Sequence, residues 1–306
     1  MRSALRWAGL VLPLMVAACT TPAVPTARDS ETPAIASSAA TSAPTAVAGG
    51  RTIPFDPLPG RPFAGGGSAT RPALILITDQ LERELAVRRR VATHLAEPST
   101  VTALAALDLT AQVAILAFAG QTPTLGFGYM IDRIAVAPEG TIIVTATLTR
   151  PPGDRFLTAI GHPYAAVSIA RPALTLVQGS RLELRDSAGV RQTSLRWCGV
   201  VREGPLDWDR AARDCVRDAY VAGDDAQLIV QRPSDEGAPI ISSVRAVPGG
   251  LSEVAVDVSR DPLRDPGREP VSSWACTRLD PKQQLTGRYA LAFSGCTGDG
   301  SEVSVR

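Results

Sequence analysis

The chain has 306 residues, enough for two domains with separate cores, and an ordinary globular composition with 45% hydrophobic and 20% charged residues. Its formal net charge is +1, and its only lysine is Lys282. A near-neutral chain without clustered basic residues argues against nucleic-acid binding.

The first nineteen residues have the pattern of an export signal. Arg2 and Arg6 precede an apolar run over residues 7–18, which is too short to span a membrane. The run ends in Val-Ala-Ala-Cys, which resembles the lipobox of bacterial lipoproteins, where the cysteine becomes the lipidated first residue of the mature chain. We therefore expect residues 1–19 to be a lipoprotein signal peptide and the lipid on Cys19 to anchor the protein in a membrane. A plain cleavable signal with an incidental cysteine is the alternative.

A linker is predicted over residues 20–52. Of the 31 residues from Thr20 to Gly50, 25 are Ala, Thr, Pro, Ser or Gly. Such a segment buries too little apolar surface to offset the entropy of ordering it. We expect a disordered tether that holds the folded part away from the membrane.

Residues 53–177 show the patterns of a β-rich domain. Apolar runs at 73–78 and 113–119 predict strands, the second buried on both faces, and a helix capped by Thr78 is predicted between them. Residues 129–149 predict a hairpin that turns at Pro138-Glu139-Gly140. A last strand begins near Pro163, where the missing N–H costs no ladder bond.

Eight residues mark the order of these features along the chain: Asp108, Gly120, Gly128, Tyr129, Gly140, Pro151, Pro163 and Tyr164. This order resembles the C-terminal domain of PrcB-type proteins, a family named for a subunit of a surface protease complex. The resemblance covers residues 74–172, and this chain has Gly-Phe-Gly-Tyr where the family pattern has Gly-Gly-Tyr. It implies a mainly β domain that works through protein contacts, with Gly126 in a structural role.

The sequence gives little support to the hypothesis that this region is an enzyme. The glycines Gly126 and Gly128 lead into a predicted strand, whereas a phosphate-binding loop leads into a helix. The only histidines, His94 and His162, have no nucleophile elbow beside them. We expect no catalytic residues, no cofactor and no metal, with Tyr129 and Tyr164 at the edge of the core.

Residues 178–306 predict an α+β domain, in which one helix packs on an antiparallel sheet. A hairpin is predicted around 173–197, and strands at 226–231, 239–247 and 251–258. The helix spans about 207–223, with Asp207 as its cap and Gly223 at its end. Its apolar stripe is Trp208, Ala211, Ala212, Cys215, Val216, Ala219 and Tyr220.

Four cysteines remain after Cys19: Cys198, Cys215, Cys276 and Cys296. In an exported protein an even number favours two disulfides. The local pairs, 198 with 215 and 276 with 296, are favoured, and the two crossed connectivities remain open.

Asp257, Asp261, Asp265 and Glu269 could be oxygen ligands for Ca²⁺, but interleaved arginines favour a solvated loop.

The sequence thus predicts a mainly β and α+β protein of two small domains. We expect a lipid-anchored binding or assembly protein of the cell envelope that holds another exported protein, with a protease complex as one candidate for that partner. An envelope hydrolase with a site assembled from distant residues, and a sensor of small ligands or glycans, are the alternatives.

Overall fold

The computed structural model describes residues 50–59, 70–87, 98–124, 126–150, 160–203, 209–265, 267, 269–283 and 289–305. The predicted signal peptide with Cys19, most of the tether, and His94, Pro151, Asp207 and Trp208 lie outside these ranges. None of the described helices is long and apolar enough to cross a membrane.

Within these ranges the chain forms three α-helices and fifteen strands in two sheets, so the predicted mainly β and α+β class is confirmed. The helices are α1 (Gln80–Leu85), α2 (Pro98–Ala105) and α3 (Arg210–Val221). The strands are β1 (Arg51–Thr52), β2 (Asp56–Pro57), β3 (Ala73–Ile77), β4 (Gln112–Phe118), β5 (Gly128–Val136), β6 (Ile142–Thr149), β7 (Tyr164–Ala170), β8 (Ser180–Arg185), β9 (Arg191–Arg202), β10 (Asp225–Pro233), β11 (Pro239–Ala246), β12 (Ser252–Asp257), β13 (Val271–Gln283), β14 (Tyr289–Gly298) and β15 (Glu302–Val305).

The smaller sheet has the order β2-β7-β4-β3, with every pairing antiparallel. Both faces of this sheet are covered, because Leu74 and Leu76 of β3 face the larger sheet while Ile75 and Ile77 pack with α1 and the segment after α2. Val113 to Phe118 of β4 are all buried, as the continuous apolar run predicts.

The larger sheet has eleven strands, in the order β1-β5-β6-β8-β9-β10-β11-β12-β13-β14-β15. Its pairings are antiparallel except for two: β6 runs parallel to β8, and β9 runs parallel to β10. Helix α3 supplies the crossover between β9 and β10 that a parallel pair requires. The predicted domain boundary at residues 177 and 178 falls just before β8, inside the succession of strands that builds this sheet.

Three apolar clusters hold the layers together. The first fills the space between the sheets and includes Tyr129, Ile134, Trp197 and Ile229. The second lies beneath α3, and the third covers the outer face of the smaller sheet. The described residues all belong to one compact unit.

Both helix caps differ from the predicted ones. Asp79, and not Thr78, caps α1, because its carboxylate accepts the Glu82 N–H at 3.1 Å. Asp209 caps α3 by accepting the Ala212 N–H at 2.9 Å. The predicted stripe of α3 is correct at Ala212, Val216 and Ala219, but Ala211 is exposed while an arginine is buried in the helix.

The four C-terminal cysteines form the two local disulfides. Cys198 of β9 bonds to Cys215 of α3, with their Cα atoms 5.6 Å apart. Cys276 and Cys296 are direct cross-strand partners on β13 and β14, with their Cα atoms 3.9 Å apart. The two bonds indicate a protein that matures in an oxidising compartment outside the cytoplasm.

Candidate functional site

One side of the two-sheet sandwich is closed by a short N-terminal segment. β1 pairs with β5 at Val136 and Ala135, and the Ile53 N–H then donates to the Ile134 C=O at 2.8 Å. The side chain of Ile53 is fully buried. The chain next crosses to the smaller sheet, where β2 pairs with β7 and Leu58 N–H donates to the Ala166 C=O at 2.9 Å. Residues 51–58 therefore join the two sheets, one strand edge after the other.

The rest of this side is open. In the described part of the chain no strand pairs with Gly128–Ile131 of β5 on the side opposite β6. Likewise, β2 reaches only the C-terminal half of β7, so that Tyr164 lies beyond it. Two strand edges, one from each sheet, thus flank the same opening.

A cleft of about 260 Å³ lies between these edges. Its walls are mostly apolar. Thr100 of α2 also lines it, and the Thr100 hydroxyl donates to the Pro59 C=O at 2.9 Å. The lining residues are Pro57, Leu58, Thr100, Tyr129, Met130, Ile131, Tyr164, Ala165, Ala166 and Val167.

Two tyrosines that the family resemblance singled out line this cleft, although Tyr129 belongs to the cluster between the sheets and Tyr164 to the cluster on the outer face of the smaller sheet. Tyr129 and Tyr164 are both buried, and the ring of Tyr164 lies 5.8 Å from that of Phe118. Burial raises the pKa of the Tyr129 phenol, and the carboxylates of Asp132 and Asp186 raise it further. Tyr129 therefore stays protonated and acts as an uncharged, amphipathic wall of the cleft.

Tyr129 also lines a second cavity of about 220 Å³, together with Pro72, Ala119, Ala146, Leu148, Asp186 and Gln192. Each cavity has one exposed apolar side chain in its lining. Met130 of β5, which lines the first, is 62% exposed, and Leu148 of β6, which lines the second, is 44% exposed. Leu148 is the direct cross-strand partner of Tyr129, whereas Met130 pairs with Thr147. The two exposed side chains therefore lie on opposite faces of the β5–β6 hairpin.

The glycines of the family pattern shape the backbone around the cleft. Gly120 has φ +85°, and a Cβ there would lie 2.9 Å from the backbone of Arg71 and Pro72, so no other residue fits. Gly126 has φ +98° in the turn before β5, whereas Gly128 is an ordinary first residue of that strand.

Pro163 joins the end of β4 to the start of β7. Its C=O accepts the Ala119 N–H at 3.0 Å, and Thr122 and Gly161 exchange two backbone hydrogen bonds beside it. The pattern residues Gly120, Pro163 and Tyr164 are therefore neighbours in space, and they fix the position of the cleft wall.

A buried polar cluster between α1, β3 and β10 was not predicted. Glu82 of α1 accepts from the Gln227 side chain, and Gln227 also bonds to the backbone of Leu76. Burial raises the pKa of Glu82 well above its ordinary value, and the nearby carboxylate of Asp79 adds to this shift. The pKa of Asp79 is itself raised by burial. A small cavity of about 40 Å³ adjoins the cluster, which is room for water and not for a substrate.

A second buried polar group lies beneath α3. Arg213 is fully buried and forms a two-pronged ion pair with Glu203, in which Nη2 donates to Oε2 at 3.1 Å. Glu203 Oε1 also accepts the Asp209 N–H at 3.0 Å, which ties the end of β9 to the start of the helix. One feature of the sequence indicates this ion pair: Arg213 is adjacent to Ala212, which lies on the predicted apolar stripe of α3.

The predicted acidic loop has a local structural role. The carboxylates of Asp257, Asp261 and Asp265 each accept the backbone N–H two residues ahead, at 2.7–3.0 Å. The three aspartates at four-residue spacing therefore form a series of Asx-turns. In the part of the chain that the structure describes, no three acidic, histidine or cysteine side chains are grouped as a metal site. His162 lies half-buried at the entrance of β7.

Comparison of the chain with protein-family models, curated protein sequences and solved structures gives no match. The resemblance to PrcB-type domains therefore stays a prediction from the residues that carry it.

Proposed function

We propose that this protein is a lipid-anchored binding protein of the cell envelope, which holds or stabilises another exported protein through the cleft between β5 and β7. The observation that carries the proposal is the half-open side of the sandwich, where an apolar cleft of about 260 Å³ lies beside the stretch of β5 that no described strand pairs with on its outer side. Met130, which lines this cleft, is 62% exposed. An accessible apolar groove on an exported protein is typical of a site for another protein.

The character of the cleft favours a protein partner over a small substrate. Its walls carry few polar side chains that could orient a small molecule, and Tyr129 contributes an uncharged ring. Strand edges, in contrast, present backbone donors and acceptors that match another polypeptide. The predicted Cys19 anchor and the Ala/Thr/Pro/Ser-rich linker would let such a module search near the membrane for its partner.

The partner can be sought by photo-crosslinking in the native cell. We would replace Met130 with a photoreactive amino acid in the full chain, and place the same group at Val221 of α3 as a control, because Val221 is 80% exposed and lies on a different element. We expect a discrete crosslinked exported protein from position 130 and none from position 221. Identical products from both positions, or no protein product from 130, would contradict the proposal.

The anchor is tested separately. In a Cys19→Ala variant we expect loss of labelling by a radioactive fatty acid and release from the membrane fraction. A Cys19→Ala protein that still carries fatty acid would contradict the assignment of the anchor, while the partner experiment would be unaffected.

A further inference from the structure

The register of β5 decides which of its backbone groups are available at the open edge. The Ile134 C=O accepts the Ile53 N–H, so the backbone N–H and C=O of Ile134 point towards β1. The backbone groups of its neighbour Arg133 therefore point towards β6. Arg133 pairs with Thr145, so the backbone N–H and C=O of Thr145 point towards β5. β6 has no bulge, so the direction of its backbone groups alternates from residue to residue, and those of Thr147 point towards β5 as well.

A bulge in β5 resets the alternation. Asp132 is the extra residue between the pairs Ile131–Ala146 and Arg133–Thr145. On the other side of this bulge Met130 pairs with Thr147, so the backbone N–H and C=O of Met130 point towards β6. The N–H and C=O groups of Tyr129 and Ile131 consequently point away from β6, towards the side on which no described strand lies.

The chain itself shows how this side of the sandwich is covered. Where β5 continues past Ile134, its edge is occupied by β1, and the edge of β7 is occupied by β2. Both are two-residue strands of one segment that adds its backbone to each sheet in turn. The open stretch Gly128–Ile131 continues the edge that β1 occupies, so an extended polypeptide is the ligand whose chemistry this edge matches.

The cleft beside the edge determines the side chains of that ligand. A strand laid along Gly128–Ile131 would direct alternate side chains into the space between the sheets, which is walled by Ala165, Val167 and Leu58. Small or medium apolar side chains fit such walls. Four residues of edge span about 13 Å, at roughly 3.3 Å per residue.

We propose that the partner binds by strand addition: an extended apolar segment of another exported protein pairs with Tyr129 and Ile131 of β5 and places alternate apolar side chains in the cleft. This inference rests on the proposed function and specifies how the partner is recognised. The main-chain hydrogen bonds supply binding affinity and the cleft supplies the choice of side chains.

Hydrogen exchange on the isolated complex provides the test. The full-length anchored protein is purified with its bound partner, and amide exchange is measured at single residues in the complex and in the protein freed of its partner. We expect exchange at Tyr129 and Ile131 to slow by roughly tenfold or more in the complex. Met130 and Gly128 are internal controls, because the register already pairs their amides with β6.

A cleft-filling variant gives an independent measurement. Ala165→Leu places a larger side chain in the cleft without altering the hydrogen-bonding edge of β5, and it should reduce the partner recovered by about tenfold. Ala188→Leu, the same change in the exposed turn between β8 and β9, is the matched control and should leave the yield unchanged.

The outcomes separate this inference from the function on which it rests. A partner that co-purifies without slowed exchange at Tyr129 and Ile131 overturns strand addition and leaves the binding function standing. Recovery of no exported partner overturns both. Slowed exchange caused by a second copy of the chain, recognised by the doubled mass of the crosslinked product, overturns the choice of occupant.

Discussion

The side chain of Gln227 pairs with the backbone of Leu76 as a neighbouring strand would. Leu76 N–H donates to Gln227 Oε1 at 3.1 Å, and Gln227 Nε2 donates to the Leu76 C=O at 2.5 Å. Leu76 lies on β3, the edge strand of the smaller sheet, and Gln227 projects from β10 of the larger one. A single amide from a residue 151 positions away thus closes a sheet edge inside the core.

Replacing Gln227 with leucine should destabilise the fold strongly. The substitution leaves the N–H and C=O of Leu76 buried without a partner, and each such group costs about 1–3 kcal/mol. We expect the free energy of unfolding to fall by about 3 kcal/mol in chemical denaturation. Gln231→Leu is the control, because Gln231 lies on the same strand and is partly exposed, and the one described bond of its side chain is to the side chain of Arg202. Equal losses in the two variants would contradict the assigned role of the Gln227 amide.

Glu82, which accepts a hydrogen bond from Gln227, makes the stability of the fold depend on pH. It accepts from Gln227 and from the Ser243 hydroxyl, but burial outweighs these bonds and keeps its pKa raised. The folded state therefore holds the Glu82 proton more tightly than the unfolded state does. The resulting stability is fully present below the unfolded pKa, near 4.5, and is lost as the pH rises through the folded pKa.

In a Glu82→Gln variant this loss should largely disappear. Glutamine keeps the acceptor for Gln227 and cannot ionise, so the free energy of unfolding should decline less between about pH 4.5 and neutrality than it does in the wild type. Asp79, whose pKa is also raised, leaves a residual slope. Denaturation at a series of pH values measures the effect, and Glu84→Gln removes the same charge from the same helix as the control. An unchanged slope would show that Glu82 does not carry the proton.

Local patterns were enough to predict much of this fold. Alternation and a turn motif predicted the β5–β6 hairpin, and helical spacing predicted α3 with Cys215 on its apolar stripe. Loop length favoured the two local disulfides that are observed. Each of these features depends on residues close together in the sequence, where periodicity carries the information.

The features that were not predicted depend on contacts between distant segments. The parallel pairing of β9 with β10 could not be predicted, because nothing in the sequence of either strand indicates the direction of its neighbour. Gln227 interrupts an apolar run, and nothing near it in the sequence indicates that Leu76 is its partner. The cleft was missed for the same reason: its walls come from β2, β5, β7 and α2, and the tyrosine pattern indicated fold and not binding.

Gly120 provides a test of how tightly the end of β4 is built. Both Gly120 and Gly140 have φ near +85°, so alanine at either position adds the strain of a left-handed backbone, about 1–2 kcal/mol. A Cβ at Gly140 meets nothing within 4 Å, whereas at Gly120 it meets backbone atoms of Arg71 and Pro72. Gly120→Ala should therefore lower the melting temperature clearly more than Gly140→Ala. Equal shifts would mean that the Arg71–Pro72 backbone can move aside.

The buried pair of Arg213 and Glu203 predicts strong coupling between two substitutions. Arg213→Met leaves the Glu203 carboxylate buried without its guanidinium partner, and breaking such a pair costs about 3–5 kcal/mol. Adding Glu203→Leu removes the uncompensated charge, so the double variant should be more stable than Arg213→Met alone, even though it carries one more substitution. Chemical denaturation of the wild type, both single variants and the double variant gives the coupling energy. The pair of Arg210 and Asp214 on the same helix is the comparison cycle, and it should show coupling below about 1 kcal/mol because Arg210 is 77% exposed and Asp214 keeps a second partner in Arg217. Additive effects at Arg213 and Glu203 would show that the two charges do not depend on each other.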